Sequence, residues 1–186
     1  MTTSDTPTIT FPETHGSVKG YEKRSVDAFL LRAREAFEAE SEPMTAAEVR
    51  RAAFPLVRRG YVIAAVDAAL GRIEDAFAAR EREAAVGSDG AHAWVGQTRE
   101  TAQVVLDRLS RPKGRRFDTV SALRYGYRID EVDLVADKLA RYLETGDSVT
   151  VEQVRAVAFR MQRGGYREAQ VDAVLDAVIE VMLAVA

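Results

Sequence analysis

Four times in this chain a Gly-Tyr pair is followed, after four variable residues, by Val-Asp. The copies are "GYEKRSVD" at 20–27, "GYVIAAVD" at 60–67, "GYRIDEVD" at 126–133 and "GYREAQVD" at 165–172. A spacing kept four times is a structural rule, and internal repeats constrain architecture before any local propensity does. The stretch "TAAEVRRAAFPLVRRGYVIAAVDAAL" (45–70) aligns without gaps on "TVEQVRAVAFRMQRGGYREAQVDAVL" (150–175), and the motif at 20–27 aligns in the same way on that at 126–133. The chain is therefore a duplicated pair. Residues 11–85 and 117–186 each hold two motifs. Residues 1–10 are expected to be disordered. The Gly- and Ser-containing stretch 86–97 reads as a linker, and 98–116 as an extra helix followed by a basic loop.

The stripes behind each motif predict helices. After Gly60-Tyr61, apolar residues fall at Val66, Leu70, Ile73 and Phe77, a spacing of four, three and four that places them on one helical face. The other three motifs carry equivalent stripes. Long helices are expected near 23–40, 63–85, 129–144 and 168–185. A further helix, near 98–110, presents Ala102, Val105, Leu106 and Leu109 and stops before Pro112. "TAAE" and "TVEQ" are capping boxes, in which Thr45 and Thr150 accept from the third helical amide while Glu48 and Gln153 reach back. No stripe runs far enough for a long coiled coil. The fold class is all-α: two tandem units, each made of two loop-plus-long-helix motifs.

The five-residue interval has a local physical reading. With Tyr21, Tyr61, Tyr127 and Tyr166 just outside their helices, Val26, Val66, Val132 and Val171 fall at the fourth helical position. That is the register of a hydrophobic staple, which fixes the angle at which chain enters helix. Gly20, Gly60, Gly126 and Gly165 allow either positive φ or close backbone approach. Asp27, Asp67, Asp133 and Asp172 sit in the second turn, where a negative charge gains a little from the helix dipole. A Phe precedes every Gly-Tyr: Phe11 and Phe117 by nine residues, Phe54 and Phe159 by six.

Several function classes are disfavoured by composition. A hydrophobic share of 47% and a charged share of 30% suit a folded soluble protein. There is no cysteine, hence no disulfide framework, which fits a reducing compartment. The N-terminal stretch has neither a basic nor an apolar segment of the signal-peptide kind. No apolar run approaches the ~20 residues that span a bilayer. A net charge of −3 disfavours nucleic acid as a partner. No nucleophile–base pair, phosphate-binding glycine loop or metal-ligand spacing occurs, so neither an enzyme nor a cofactor or metal is expected. His15 and His92 stand far apart in the chain. Trp94 reads as docking on the core or anchoring a partner. Positive charge concentrates in "RLSRPKGRR" (108–116). The residues Arg111, Lys113, Arg115, Arg116, Phe117 and Arg124 are the candidate membrane or partner contacts.

The combination Thr-x-x-Glu-Val, Phe, Arg-Gly-Tyr-x4-Val-Asp-x-x-Leu at 45–70 resembles the N-terminal domain of the DivIVA family, bacterial proteins of division-site placement and polar growth. "FPETHGSVKGYEKRSVDAFL" (11–30) looks like its long-loop variant, common in actinobacteria. The likeness covers four short segments. It implies a cytoplasmic, non-enzymatic scaffold whose helices pair and self-associate. It also implies a loop that meets the inner face of the cell membrane through an apolar residue two positions before the Gly. Here that position holds Val18, Arg58, Arg124 and Arg163, so three of the four are charged. The chain also lacks the long coiled coil that follows in the family. The expected partners are other division or DivIVA-like proteins, with an anionic membrane surface as the alternative partner of the basic loop. With four motifs in one chain, a monomer or compact dimer is expected.

Overall fold

The computed structural model describes residues 11–39 and 44–185; the expectation for residues 1–10 lies outside these. The described chain is mostly helical, with four three-residue strands. Two compact units are present, 1–81 and 82–186.

The first unit contains β1 (Lys19–Tyr21), α1 (Lys23–Ala39), α2 (Ala46–Arg50), β2 (Leu56–Arg58) and α3 (Ile63–Asp89), the last running past the boundary. β1 and β2 are antiparallel, with Lys19 opposite Arg58 and Gly20 opposite Val57. The core is the facing stripes of α1 and α3, including Val26, Phe29, Ala33, Val66, Leu70 and Phe77, closed by Phe11, Val49 and Tyr61. Arg50 reaches from the end of α2 to Glu74 on α3, Nε to Oε1 2.6 Å, with Glu74 buried and Arg50 half-buried.

The second unit contains α4 (Ala91–Leu109), β3 (Tyr125–Tyr127), α5 (Ile129–Thr145), α6 (Val151–Arg155), β4 (Met161–Arg163) and α7 (Glu168–Val185). β3 and β4 repeat the first ribbon, with Tyr125 opposite Arg163 and Gly126 opposite Gln162. This unit has a third long helix: α4 packs on α5 and α7, burying Val105 and Leu109. That packing explains why α7 buries Val181 and Leu183 as well as Val178 and Met182, a width of apolar surface that one partner helix does not require.

The four long helices and both capping boxes lie where the periodicity places them. The stretch 86–97 is helical rather than an irregular loop. α3 continues to Asp89 and α4 starts at Ala91, broken only at Gly90 with φ 87°. Trp94 docks within the second unit, its Nε1 donating to the Ala184 carbonyl at 3.3 Å.

One backbone position separates the two ribbons. Arg59 lies at φ 55° where its counterpart is Gly164 at φ 66°, and a side chain in this left-handed region is strained. Arg59→Gly is expected to raise the stability of the first unit by ~1 kcal/mol, read as a higher denaturant midpoint. An unchanged or lower midpoint would contradict the strain.

Candidate interaction surface

In each unit the two motifs cross. Gly20 and Gly60 meet backbone to backbone: a Cβ on Gly20 would stand 2.2 Å from the Tyr61 carbonyl oxygen, and one on Gly60 2.4 Å from that of Tyr21. Gly126 and Gly165 repeat this at 2.3 and 2.4 Å, to the carbonyl oxygens of Tyr166 and Tyr127. None of the four has positive φ, so close approach is what the motif Gly supplies. At the crossing the tyrosines exchange backbone bonds. Tyr21 N donates to Tyr61 O at 2.9 Å and Tyr61 N to Tyr21 O at 2.8 Å; Tyr127 and Tyr166 do the same at 2.9 Å each way.

The side chains are reciprocal too. Each motif's Phe packs on the other motif's Tyr: Phe11 on Tyr61, Phe54 on Tyr21, Phe117 on Tyr166 and Phe159 on Tyr127, with centroids 5.1–5.3 Å apart. Each Tyr hydroxyl addresses the other motif's Asp. Tyr61 Oη donates to Asp27 at 3.4 Å and Tyr166 Oη to Asp133 at 3.1 Å, while Tyr21 pairs with Asp67 and Tyr127 with Asp172. The four motif valines are buried at the fourth position of their helices, the register that the spacing predicts. The Asp role differs from the dipole reading: it is the acceptor for the opposite tyrosine. Gly-Tyr-x4-Val-Asp is thus a pairing device, used in cis twice.

Burial, followed by the facing carboxylate, raises the pKa of Tyr21 and Tyr127, the latter to about 12. Burial is also the main cause that raises Tyr61 and Tyr166. A tyrosine whose folded pKa exceeds its unfolded value stabilises the fold in its protonated form. For Tyr127 that contribution is complete below the unfolded value of about 10 and is lost as pH rises through about 12. Alkaline titration by phenolate absorbance is expected to show the motif tyrosines ionising late, with unfolding in the same range. Free, early ionisation of all tyrosines would contradict the pairing.

The crossing carries the loop tips outward. In the second unit Leu123 is 86% and Tyr125 56% exposed, and Met161 is exposed on β4 opposite Tyr127. Arg124 and Arg163 are exposed there, and Arg163 lies over the Tyr125 ring at 5.6 Å. In the first unit Val18 is 61% exposed and Leu56 is exposed, beside exposed Lys19, Arg58 and Arg59. The tip segments 14–20, 55–60, 119–126 and 160–165 contain no Asp or Glu, in a chain that is acidic overall. Exposed large apolar side chains set among cations mark a contact surface more than scattered ones do.

The basic loop divides differently from its sequence reading. Arg111, Lys113, Arg115 and Arg124 are exposed, but Arg116 and Phe117 are buried. Phe117 belongs to the core against Tyr166, as its counterpart Phe11 does against Tyr61. The Arg116 guanidinium donates to the carbonyls of Arg111 and Asp133, at 3.0 and 2.6 Å, and to the Asp137 carboxylate. Gly114 N donates to Asp133 Oδ2 at 2.7 Å, and Lys113 pairs with Asp137. The loop is thereby closed over two carboxylates of α5. Neither Arg116 nor Phe117 is placed to meet a membrane or a partner. Leu123, Tyr125 and Arg163, absent from the sequence candidates, occupy the exposed tip instead.

Comparison with protein-family models, with curated proteins and with solved structures finds no match to this chain. No helix among the described residues is long and apolar enough to cross a membrane.

Proposed function

We propose that this chain is a non-enzymatic interaction protein, a scaffold of the DivIVA type acting in cell division or polar cell-envelope growth, whose motif pairs form within one chain the helix pairing that the family obtains by dimerising. One observation carries the reading: both units present the same surface chemistry at the tip, exposed apolar side chains among cations without a single carboxylate in the tip segments. Two units that diverged elsewhere in sequence keep it. Such a surface fits a partner protein that offers an acidic, partly apolar face. Binding partners captured by the full chain from the native cell are expected to be lost when the tips of both units are changed together, Val18, Leu56, Arg58, Leu123, Arg124 and Arg163 all to Gln. Capture that is indifferent to these changes, with helicity preserved, would sink the tip as the contact surface.

A second reading places the tips on anionic lipid at the inner face of the cell membrane. It is favoured by the position of Leu123, the most exposed large apolar residue described, between cations that would each contribute ~1 kcal/mol near such a surface. Co-sedimentation with anionic vesicles separates the two. The lipid reading requires salt-sensitive binding that neutral vesicles do not reproduce, and the protein reading requires none.

A further inference from the structure

With four similar motifs in one chain, something must tell each which partner to take. The Gly–Gly crossing, the exchanged Tyr backbone bonds, the Phe–Tyr contacts and the Tyr–Asp pairs are the same in both units, so none of them discriminates. One position does differ. In every motif the residue after the Phe gives its carbonyl to the backbone N–H that follows the other motif's Tyr. Val62 N bonds Pro12 O, Glu22 N bonds Pro55 O, Arg167 N bonds Asp118 O and Arg128 N bonds Arg160 O, at 2.8–2.9 Å. The same residue faces the first turn of the opposite long helix. In the second unit its own N–H is taken there by a side chain four positions after the opposite Tyr. Arg160 N donates to Glu131 Oε2 at 2.8 Å, and Asp118 N to Gln170 Oε1 at 2.9 Å. Each contact is doubled by side chains: the Arg160 guanidinium pairs with Glu131, and Gln170 Nε2 donates to Asp118 at 2.9 Å. In the first unit the residues after the Phe are Pro12 and Pro55, which have no N–H to satisfy, and the opposing positions are Ala65 and Ser25.

We propose that these positions form a pairing code, which makes the first motif choose the second and the third choose the fourth. A cross-pair of the third motif with the second would set Glu131 against Pro55, with neither amide nor cation to meet it, and the Asp118 amide against Ala65. The first with the fourth would set Gln170 against Pro12 and deprive Arg160 of its carboxylate. Two third motifs from separate copies would bring Asp118 against Glu131, like charges at close range. These contacts are exposed, so water takes a mismatched group and each lost contact weighs no more than a surface pair; the cognate pairs are favoured because a cross-pair loses these contacts together.

Cysteine trapping in the full chain tests this, because the sequence has no cysteine of its own. Lys19 and Arg58 are opposed in the first ribbon, and Arg163 holds the place of Arg58 in the second. Opposed Cα atoms of an antiparallel pair lie within disulfide reach. Lys19→Cys with Arg58→Cys therefore reports the cognate pair, and Lys19→Cys with Arg163→Cys reports the cross-pair, within or between chains. After refolding under mild oxidation the first pair is expected to close and the second to stay open. Writing the first unit's residues into the second (Asp118→Pro, Glu131→Ser, Arg160→Pro, Gln170→Ala) is expected to raise the cross-pair disulfide roughly threefold, the weight of one or two exposed polar contacts. The reverse change, Ser25→Glu with Pro55→Arg, leaves the cognate contacts of both units satisfied, lets the first motif also accept Arg160, and is expected to raise the same disulfide. If the first variant does not refold, the second decides alone. A cross-pair yield equal to that of the unaltered code overturns the proposal.

Discussion

Alanine at Gly165 is expected to abolish the cooperative folding of the second unit. The added Cβ would lie 2.4 Å from the Tyr127 carbonyl oxygen and 2.6–2.7 Å from the carbonyl group of Gly126. These are backbone atoms of the crossing strand, so no rotamer change relieves the overlap, and the strands must separate. Separation breaks both Tyr127–Tyr166 backbone bonds and withdraws each tyrosine from the Phe and Asp of the other motif. Losses from such linked contacts place the substitution at ~4 kcal/mol or more, the exceptional end of single changes. Gly87→Ala is the control. It lies in α3 with open space where its Cβ would go, and removing a helical glycine is expected to stabilise by up to ~1 kcal/mol. Denaturant unfolding of both variants measures the contrast. A loss under ~1 kcal/mol at Gly165 would mean that the crossing tolerates a side chain and that the motif glycine has another purpose.

The helices were legible because each carries a one-sided stripe long enough for the 3.6-residue period to show. The strands were not: three residues such as Lys19–Tyr21 are too short for alternation to appear. The reciprocity at the crossing was hidden for a different reason. Tyr21 stands five residues before Val26 whether it serves its own helix or the opposite one, and a local spacing does not record which. The signal was the Phe ahead of every Gly-Tyr, since an aromatic six or nine residues away has no place in a local staple. The 86–97 stretch misled through its glycines: Gly87 and Gly96 are carried inside helices and only Gly90, with φ 87°, interrupts them, while the Trp94 bond to Ala184 ties this stretch to a residue far off in sequence. The run 108–116 misled through its charge. Asp133 and Asp137, one helical turn apart on α5, make a carboxylate pair that the first unit lacks, Leu31 standing where Asp137 would be. That difference between the repeats was the readable sign that a buried cation answers it.

Arg116→Met is therefore expected to cost the second unit ~2–4 kcal/mol, although a charge map of the sequence ranks Arg116 with its neighbours. The residue is 5% exposed, and its removal takes the donor from two backbone carbonyls and leaves the Asp137 carboxylate with Lys113 alone. Breaking one side of such a buried charged contact is far more costly than deleting a surface pair. Arg115→Gln, next along the chain and exposed, is expected to change stability by no more than ~0.5 kcal/mol. The pH dependence separates a cage from simple packing. Lys113, and then Arg116, hold the Asp137 carboxyl below its usual range. A carboxylate with a depressed folded pKa stabilises fully above the unfolded value and loses that contribution as pH falls through the folded one. Wild type should lose stability on the acid side from near pH 4 downward, and Arg116→Met should lose less over the same interval because part of the linkage has gone. Equal acid slopes in the two proteins, or an Arg116→Met midpoint as high as that of Arg115→Gln, would show that the guanidinium is not what closes the loop over α5.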